Sequence, residues 1–187
     1  MKLEIRKYGD PVLREKAEPV EKVDDRIRTL AKNMIEALHG DNGGVGLAAQ
    51  QVGETVAVCV IEVPAEYDAD DKGVRFNPGV KMPFVLINPE ILEASKETDV
   101  RDEGCLSFPG IYAPVRRPVE IKLEFVDLNG KTQILHLKHF VARVVQHEMD
   151  HLHGVLLVDR MGNLKKIALA GQLKRLRNET REELGVR

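Results

Sequence analysis

The segment Gln146-His147-Glu148-Met149-Asp150-His151 constrains this chain more than any other. It contains the pattern HExxH. Four residues is just over one helical turn, so on a helix His147 and His151 stack on one face and can hold one metal ion. Glu148 follows the first histidine directly and can act as general base toward a water beside that ion. A solvated helix that carries histidines by chance is the alternative, and this segment alone leaves it open.

The rest of the chain supplies a setting for such a helix. Asp24-Asp25, followed by apolar Ile27, Leu30, Ala31, Met34, Ile35 and Leu38, predicts a capped amphipathic helix that stops near Gly40. Residues 55–63 read as a buried strand. Residues 64–83, with several Asp, Gly and Pro, read as a polar surface loop, after which Phe84–Asn88 resumes as a strand that Pro89 interrupts. Val119, Ile121, Leu123 and Phe125 alternate with charged residues. Asp127-Leu128-Asn129-Gly130 is turn chemistry, and Thr132–Lys138 returns as the second arm of a hairpin. The HExxH helix is expected over about 139–152, ending at Gly154, and a last helix over about 164–184. The expected fold class is α+β, with mainly antiparallel β-sheets packed around a central metal-binding HExxH helix and a helix towards each terminus.

Composition narrows the function classes. A chain of 187 residues is expected to form a single domain, 1–187, with a real core. Its 28 basic and 30 acidic side chains give no global charge for DNA or anionic lipid. No apolar run approaches the roughly 18 residues of a membrane span, and the charged opening Met1–Lys7 is unlike a signal peptide. Two cysteines are no secreted framework, and Cys59 lies in an apolar run as a small core residue. The expected compartment is cytoplasmic.

HExxH leaves the third ligand open. One extended zinc-protease pattern wants a further histidine where Leu157 stands. Another class takes a later glutamate, and Glu179, Glu182 and Glu183 are available in the charge-dense last helix. Cys105 is the better candidate, set between Gly104 and Ser107 on a tight segment. On the residues alone, ligand and small core residue are both open for it. Gly44–Gly53, GVGLAAQQVG, lacks the lysine of a phosphate loop and suits backbone exposed to an extended ligand. Gln51 within it can donate an amide hydrogen bond to a developing oxyanion. A Gly-Ala-rich packing segment is the alternative.

Taken in order, GVGLAAQQVG at 44–53, EGCLS at 103–107 and QHEMDHLHG at 146–154 resemble the peptide deformylases. The likeness extends over the opening Tyr8–Arg14 and covers most of the chain. It implies removal of the N-formyl group from the formylmethionine of newly made polypeptides. It also implies Cys105, His147 and His151 as metal ligands, with Glu148 moving the proton. Gln51 and the backbone N–H of Leu106 would stabilise the oxyanion, and the Gly46 backbone would bind the substrate main chain as an added strand. Glu103 and Arg117 resemble an ion pair that braces the metal loop. Tyr112 stands where some members carry a basic residue, and the 64–83 loop is longer than is common in the family.

Phe140 and Val144, seven and three residues before His147, share its helix face and can line a methionine pocket with Val45 opposite, or can be ordinary core. Two imidazoles and a thiolate suit Zn(II), Co(II), Ni(II) or Fe(II). Affinity order favours zinc over iron, whereas the resemblance implies Fe(II) as the working ion. From Leu164 to Arg187 seven basic residues face three acidic ones, which suggests a contact with ribosomal RNA. The competing functions are an HExxH endopeptidase using a downstream acid and a non-catalytic zinc-stabilised binding domain. His39, His136, His139 and His153 are expected to be structural or solvent-facing.

Overall fold

A computed structural model describes residues 3–40 and 43–185. Its strands are β1 (Gly46–Ala48), β2 (Val58–Ile61), β3 (Phe84–Ala94), β4 (Thr98–Gly104), β5 (Tyr112–Pro118), β6 (Glu120–Val126) and β7 (Thr132–Lys138). Its α-helices are α1 (Asp25–Leu38), α2 (His139–Leu152), α3 (Leu157–Arg160) and α4 (Asn163–Glu183). Five strands form one antiparallel sheet in the order β1-β2-β3-β6-β7, and β4 and β5 form a separate antiparallel ribbon. The fold is α+β, as the sequence predicts. Among the described residues no helix is long and apolar enough to cross a membrane.

β2 is buried on both of its faces, which explains why it is apolar throughout. Val58 and Val60 pack with Leu47, Val85 and Ile87 against Ile27, Leu30, Ala31 and Met34 of α1. Cys59 and Ile61 point the other way, into a cluster with Leu86, Ile121, Leu123 and Leu137 and with Val141, Val145 and Met149 of α2. The HExxH helix is therefore enclosed. Asp24 caps α1, its carboxylate accepting the Ile27 N–H at 3.0 Å. α2 stops at Gly154, whose φ of +68° suits glycine and where a Cβ would collide with the Arg14 carbonyl. A third cluster joins Leu13, Phe108, Ile111, Leu156, Leu157 and Leu173, tying α4 to the segment after Cys105.

Three expectations need correction. β3 does not end at Pro89. The strand shifts register between Ile87 and Glu90, with Asn88 at φ +51°, and then continues, so the missing proline N–H falls at a bulge. The β4–β5 ribbon was not predicted. The 64–83 segment is docked rather than merely on the surface, since Asp68 and Asn77 are almost fully buried. Asn77 Nδ2 donates to the Lys138 carbonyl at 3.1 Å and its Oδ1 accepts the Lys138 N–H at 2.9 Å. Asp68 holds Arg75 at 2.9 Å. The segment thus braces the corner where β7 enters α2.

Candidate metal centre

Two elements bring the predicted ligands together. α2 presents His147 and His151 one turn apart, and Cys105 follows the last residue of β4. One donor atom from each of Cys105, His147 and His151 lies within 4.8 Å of the others. Cys105 Sγ is 3.3 Å from His151 Nε2. Donors at metal–sulfur and metal–nitrogen distances of about 2.3 and 2.0–2.1 Å in a tetrahedral array sit about 3.3–3.6 Å apart, so the group fits a small divalent cation. His147 Nδ1 is engaged by Glu103 Oε2 at 2.9 Å, which leaves Nε2 for a metal.

The segment carrying Cys105 is pinned from both sides. Phe108 N–H donates to the Cys105 carbonyl at 2.8 Å, and Tyr8 N–H donates to the Ser107 carbonyl at 2.8 Å. Phe108, 1% exposed, stacks on Tyr8 with ring centroids 4.7 Å apart. Gln51 lies on a short 3-10 turn, Ala49–Val52, and its Oε1 accepts the Ala48 N–H at 2.9 Å. That bond turns Nε2 toward Cys105 Sγ at 3.5 Å and Ser107 Oγ at 3.2 Å. A donor amide therefore borders the metal group.

Glu148 is buried beside these donors, with Oε2 lacking a hydrogen-bond partner among the described residues. Its other oxygen explains Gly46: a Cβ there would lie 2.5 Å from Glu148 Oε1. Burial pushes the Glu148 carboxyl up to about 7, outweighing the opposing pull of His147 and Arg117. Burial opposes charge on both imidazoles too. At His147 the influence of Cys105 and Glu103 overcomes it and raises the pKa well above the ordinary histidine value. At His151 burial, His147 and Arg117 together push it well below.

Behind these donors lies a buried charge network. Arg117 grips Glu103 with two bonds of 2.7 and 2.9 Å and reaches Asp150 at 2.9 Å. Arg143 Nη1 donates to Glu103 at 2.6 Å, and Arg160 Nε donates to Asp150 at 2.9 Å. Burial raises the Glu103 pKa, but bonds from His147 and Arg117 outweigh it and hold the carboxyl at about 2. Removing one partner of so enclosed a pair costs about 3–5 kcal/mol.

The donor group opens on a cleft of about 490 Å³. Gly44, Val45, Gly46 and Leu106 line one part of it, and Phe140 and Val144 of α2 another. Tyr112, 62% exposed, stands on the rim against Gly104. β1, an edge strand of the sheet, borders this cleft. The other histidines lie elsewhere: His39 pairs with Glu62, His153 with the Met149 carbonyl, His139 packs on Phe76, and His136 is exposed. Glu179, Glu182 and Glu183 are exposed on α4 and join no ligand group. Sequence reasoning missed Arg143, Asp99, Asp150 and Arg160. The signal for Arg143 was a charge inside the apolar run Phe140–Val145, four residues before His147.

This fold and site define a class: a hydrolase whose HExxH helix and cysteine-bearing ribbon meet at a cleft. Comparison with known proteins agrees. The profile of the polypeptide deformylase family matches residues 2–167. A peptide deformylase of Novosphingobium aromaticivorans is 42% identical over 182 residues, covering 93% of this chain and 96% of the relative. One from Dictyoglomus thermophilum is 47% identical over 157 residues, covering 84% and 91%. Among solved structures, peptide deformylase 1B of Arabidopsis thaliana, in complex with an inhibitor, superposes with a TM-score of 0.84 at 36% identity, covering 98% of this chain and 95% of that one. The Thermotoga maritima peptide deformylase gives 0.75 at 41% identity, covering 87% and 99%. The chain belongs to the polypeptide deformylase family. It is a metalloenzyme that hydrolyses the N-formyl group from nascent peptides, and the endopeptidase and binding-domain readings fall away.

Proposed function

We propose that Cys105, His147 and His151 hold the metal and that Glu148 carries the proton. The observation behind this reading is the meeting of one thiol and two imidazole donors within 4.8 Å, beside a buried carboxylate with a free oxygen. A divalent ion held by these donors supplies Lewis acidity and lowers the pKa of water toward about 7. Glu148 accepts the proton of the attacking water as it adds to the formyl carbon, then delivers it to the leaving amine. Gln51 Nε2 and the backbone N–H of Leu106 stabilise the oxyanion. The Gly46 backbone takes the substrate main chain as an added strand at β1, while Val45, Phe140 and Val144 receive the methionine side chain. Burying that side chain contributes about 1.5–3 kcal/mol. Glu103 and Arg117 orient His147 from behind. Residues 1–187 act as a single catalytic domain, a reading supported by α4 sharing its apolar cluster with the segment after Cys105.

Fe(II) is the proposed working ion, with Zn(II), Ni(II) and Co(II) fitting the same donors. A free thiol as ligand suits a reducing compartment, which supports action in the cytoplasm. Cys105→Ala is expected to lose metal on mild dialysis, and Cys59→Ala, in the buried sheet, to keep it. Equal metal content in the two variants would remove Cys105 from the ligand set.

We also propose that α4 docks on ribosomal RNA near the emerging substrate. Lys174, Arg175, Arg177 and Arg181 are exposed on it, while Leu173 anchors it to the body. Arg187 lies outside the described residues. Replacing Lys174 and Arg175 by Glu leaves Leu173 in place and is expected to abolish low-salt co-sedimentation with ribosomes. Unchanged co-sedimentation would sink this contact.

A further inference from the structure

We propose that Arg143 is a positioning residue of the metal centre, clamping the ribbon that carries Cys105 to the helix that carries His147 and His151. The centre draws its ligands from two elements that no strand pairing connects. The β4–β5 ribbon pairs with no other strand among the described residues, and α2 packs on the five-stranded sheet. Their relative position sets the distance between the Cys105 sulfur and the imidazoles.

One guanidinium spans that junction. Arg143 lies one turn before His147 on α2 and is 4% exposed. Its Nη1 donates to Glu103 Oε1 of β4 at 2.6 Å and to the Val115 carbonyl of β5 at 3.0 Å. Its Nη2 donates to the Asp99 carbonyl of β4 at 3.1 Å and also meets the Asp99 carboxylate. A single side chain from the helix therefore holds both strands, and holds β4 at two points four residues apart. Arg117, from the ribbon side, makes the return link to Asp150 of α2.

The two oxygens of Glu103 are shared out. Oε1 takes Arg117 Nε and Arg143 Nη1, and Oε2 takes Arg117 Nη2 and His147 Nδ1. Without Arg143, Oε1 keeps one donor, the ribbon loses its anchor at Asp99, and the carboxylate orienting His147 is less tightly held. Lysine is no substitute, because a point charge on a flexible stem cannot serve four acceptors at once.

A purely structural arginine would lower thermal stability without changing the metal centre selectively. The test compares Ni(II)-loaded parent, Arg143→Lys and Asp99→Asn for the rate of metal release to a chelator. Co(II)-loaded samples report the thiolate-to-metal absorption band. Asp99 is partly exposed, so Asp99→Asn keeps a folded protein if Arg143→Lys does not. Arg75→Lys, which loosens the Asp68–Arg75 pair bracing the entry to α2 and makes no bond to the ribbon, is the control. Release is expected to be about tenfold faster in both site variants, the lower end for loss of a residue orienting a metal ligand, with an altered band. Arg75→Lys should release metal like the parent. Parental release and an unchanged band in the site variants would overturn the proposal, as would equally fast release from Arg75→Lys at matched thermal stability. The inference rests on Cys105 being a ligand. Retention of metal by Cys105→Ala would refute that premise, whereas loss there with no effect of Arg143→Lys refutes the clamp alone.

Discussion

Gly46→Ala tests how tightly Glu148, the proposed proton carrier, is placed. The backbone of Gly46 is not in the left-handed region, so alanine strains nothing by its φ and acts through space alone. Its Cβ would lie 2.5 Å from Glu148 Oε1 and 2.9 Å from Cγ and Cδ. An ordinary contact needs about 3.4 Å or more, so the carboxylate or the strand must give by about 1 Å. Glu148 is buried and β1 is paired to β2 through Gly46 and Ile61, so neither yields freely. A 1 Å misplacement of a catalytic group costs roughly 10²-fold. Formate release from formyl-Met-Ala-Ser is therefore expected to fall about a hundredfold in kcat, with metal content unchanged because no ligand is touched. Since the damage runs through Glu148, Gly46→Ala combined with Glu148→Gln should be little worse than Glu148→Gln alone. A Gly46→Ala enzyme within a few-fold of the parent, or a double variant with fully additive losses, would show that Gly46 does not set the position of Glu148.

Two further outcomes follow from neighbouring contacts. Gln51→Ala removes the amide that Ala48 N–H orients toward Cys105 and is expected to lower kcat about 10²–10³-fold without metal loss, checked by turnover beside metal analysis. Phe108→Ala removes a ring that is 1% exposed and stacked on Tyr8, and should cost about 3–5 kcal/mol of stability by denaturant unfolding, with faster metal release because the Cys105 segment loses its floor.

Much of this was legible in the residues because the relevant patterns are local. The HExxH spacing, the caps of α1, the alternation of Ile121, Leu123 and Phe125, and the Asp127–Gly130 turn each state their element within a few positions. The β4–β5 ribbon was not legible, because β4 reads Thr-Asp-Val-Arg-Asp-Glu-Gly, with its one apolar side chain, Val100, half exposed. Its inner face is charged, and a strand that buries ions in place of methyl groups has no apolar period to detect. Alternation of buried Ala113, Val115 and Arg117 in β5 was the faint signal present. Pro89 misled because a bulge absorbed it, and Asn88, whose amide bonds both the N–H and the carbonyl of Val20, anchors that bulge through a contact distant in sequence. Arg143 and Asp150 looked like ordinary polar residues of a helix. Only their partners on the ribbon, more than thirty residues away, distinguish them.

Glu148 is proposed to move the proton at a centre held by Cys105, His147 and His151. Glu148→Gln keeps the shape and leaves all three donors intact but cannot accept a proton. The decisive measurement is single-turnover formate release from formyl-Met-Ala-Ser by fully metallated Glu148→Gln beside the parent. The rate is predicted to fall about 10²–10⁴-fold at unchanged metal content. A rate within a few-fold of the parent at full metal occupancy would remove Glu148 from the proton role.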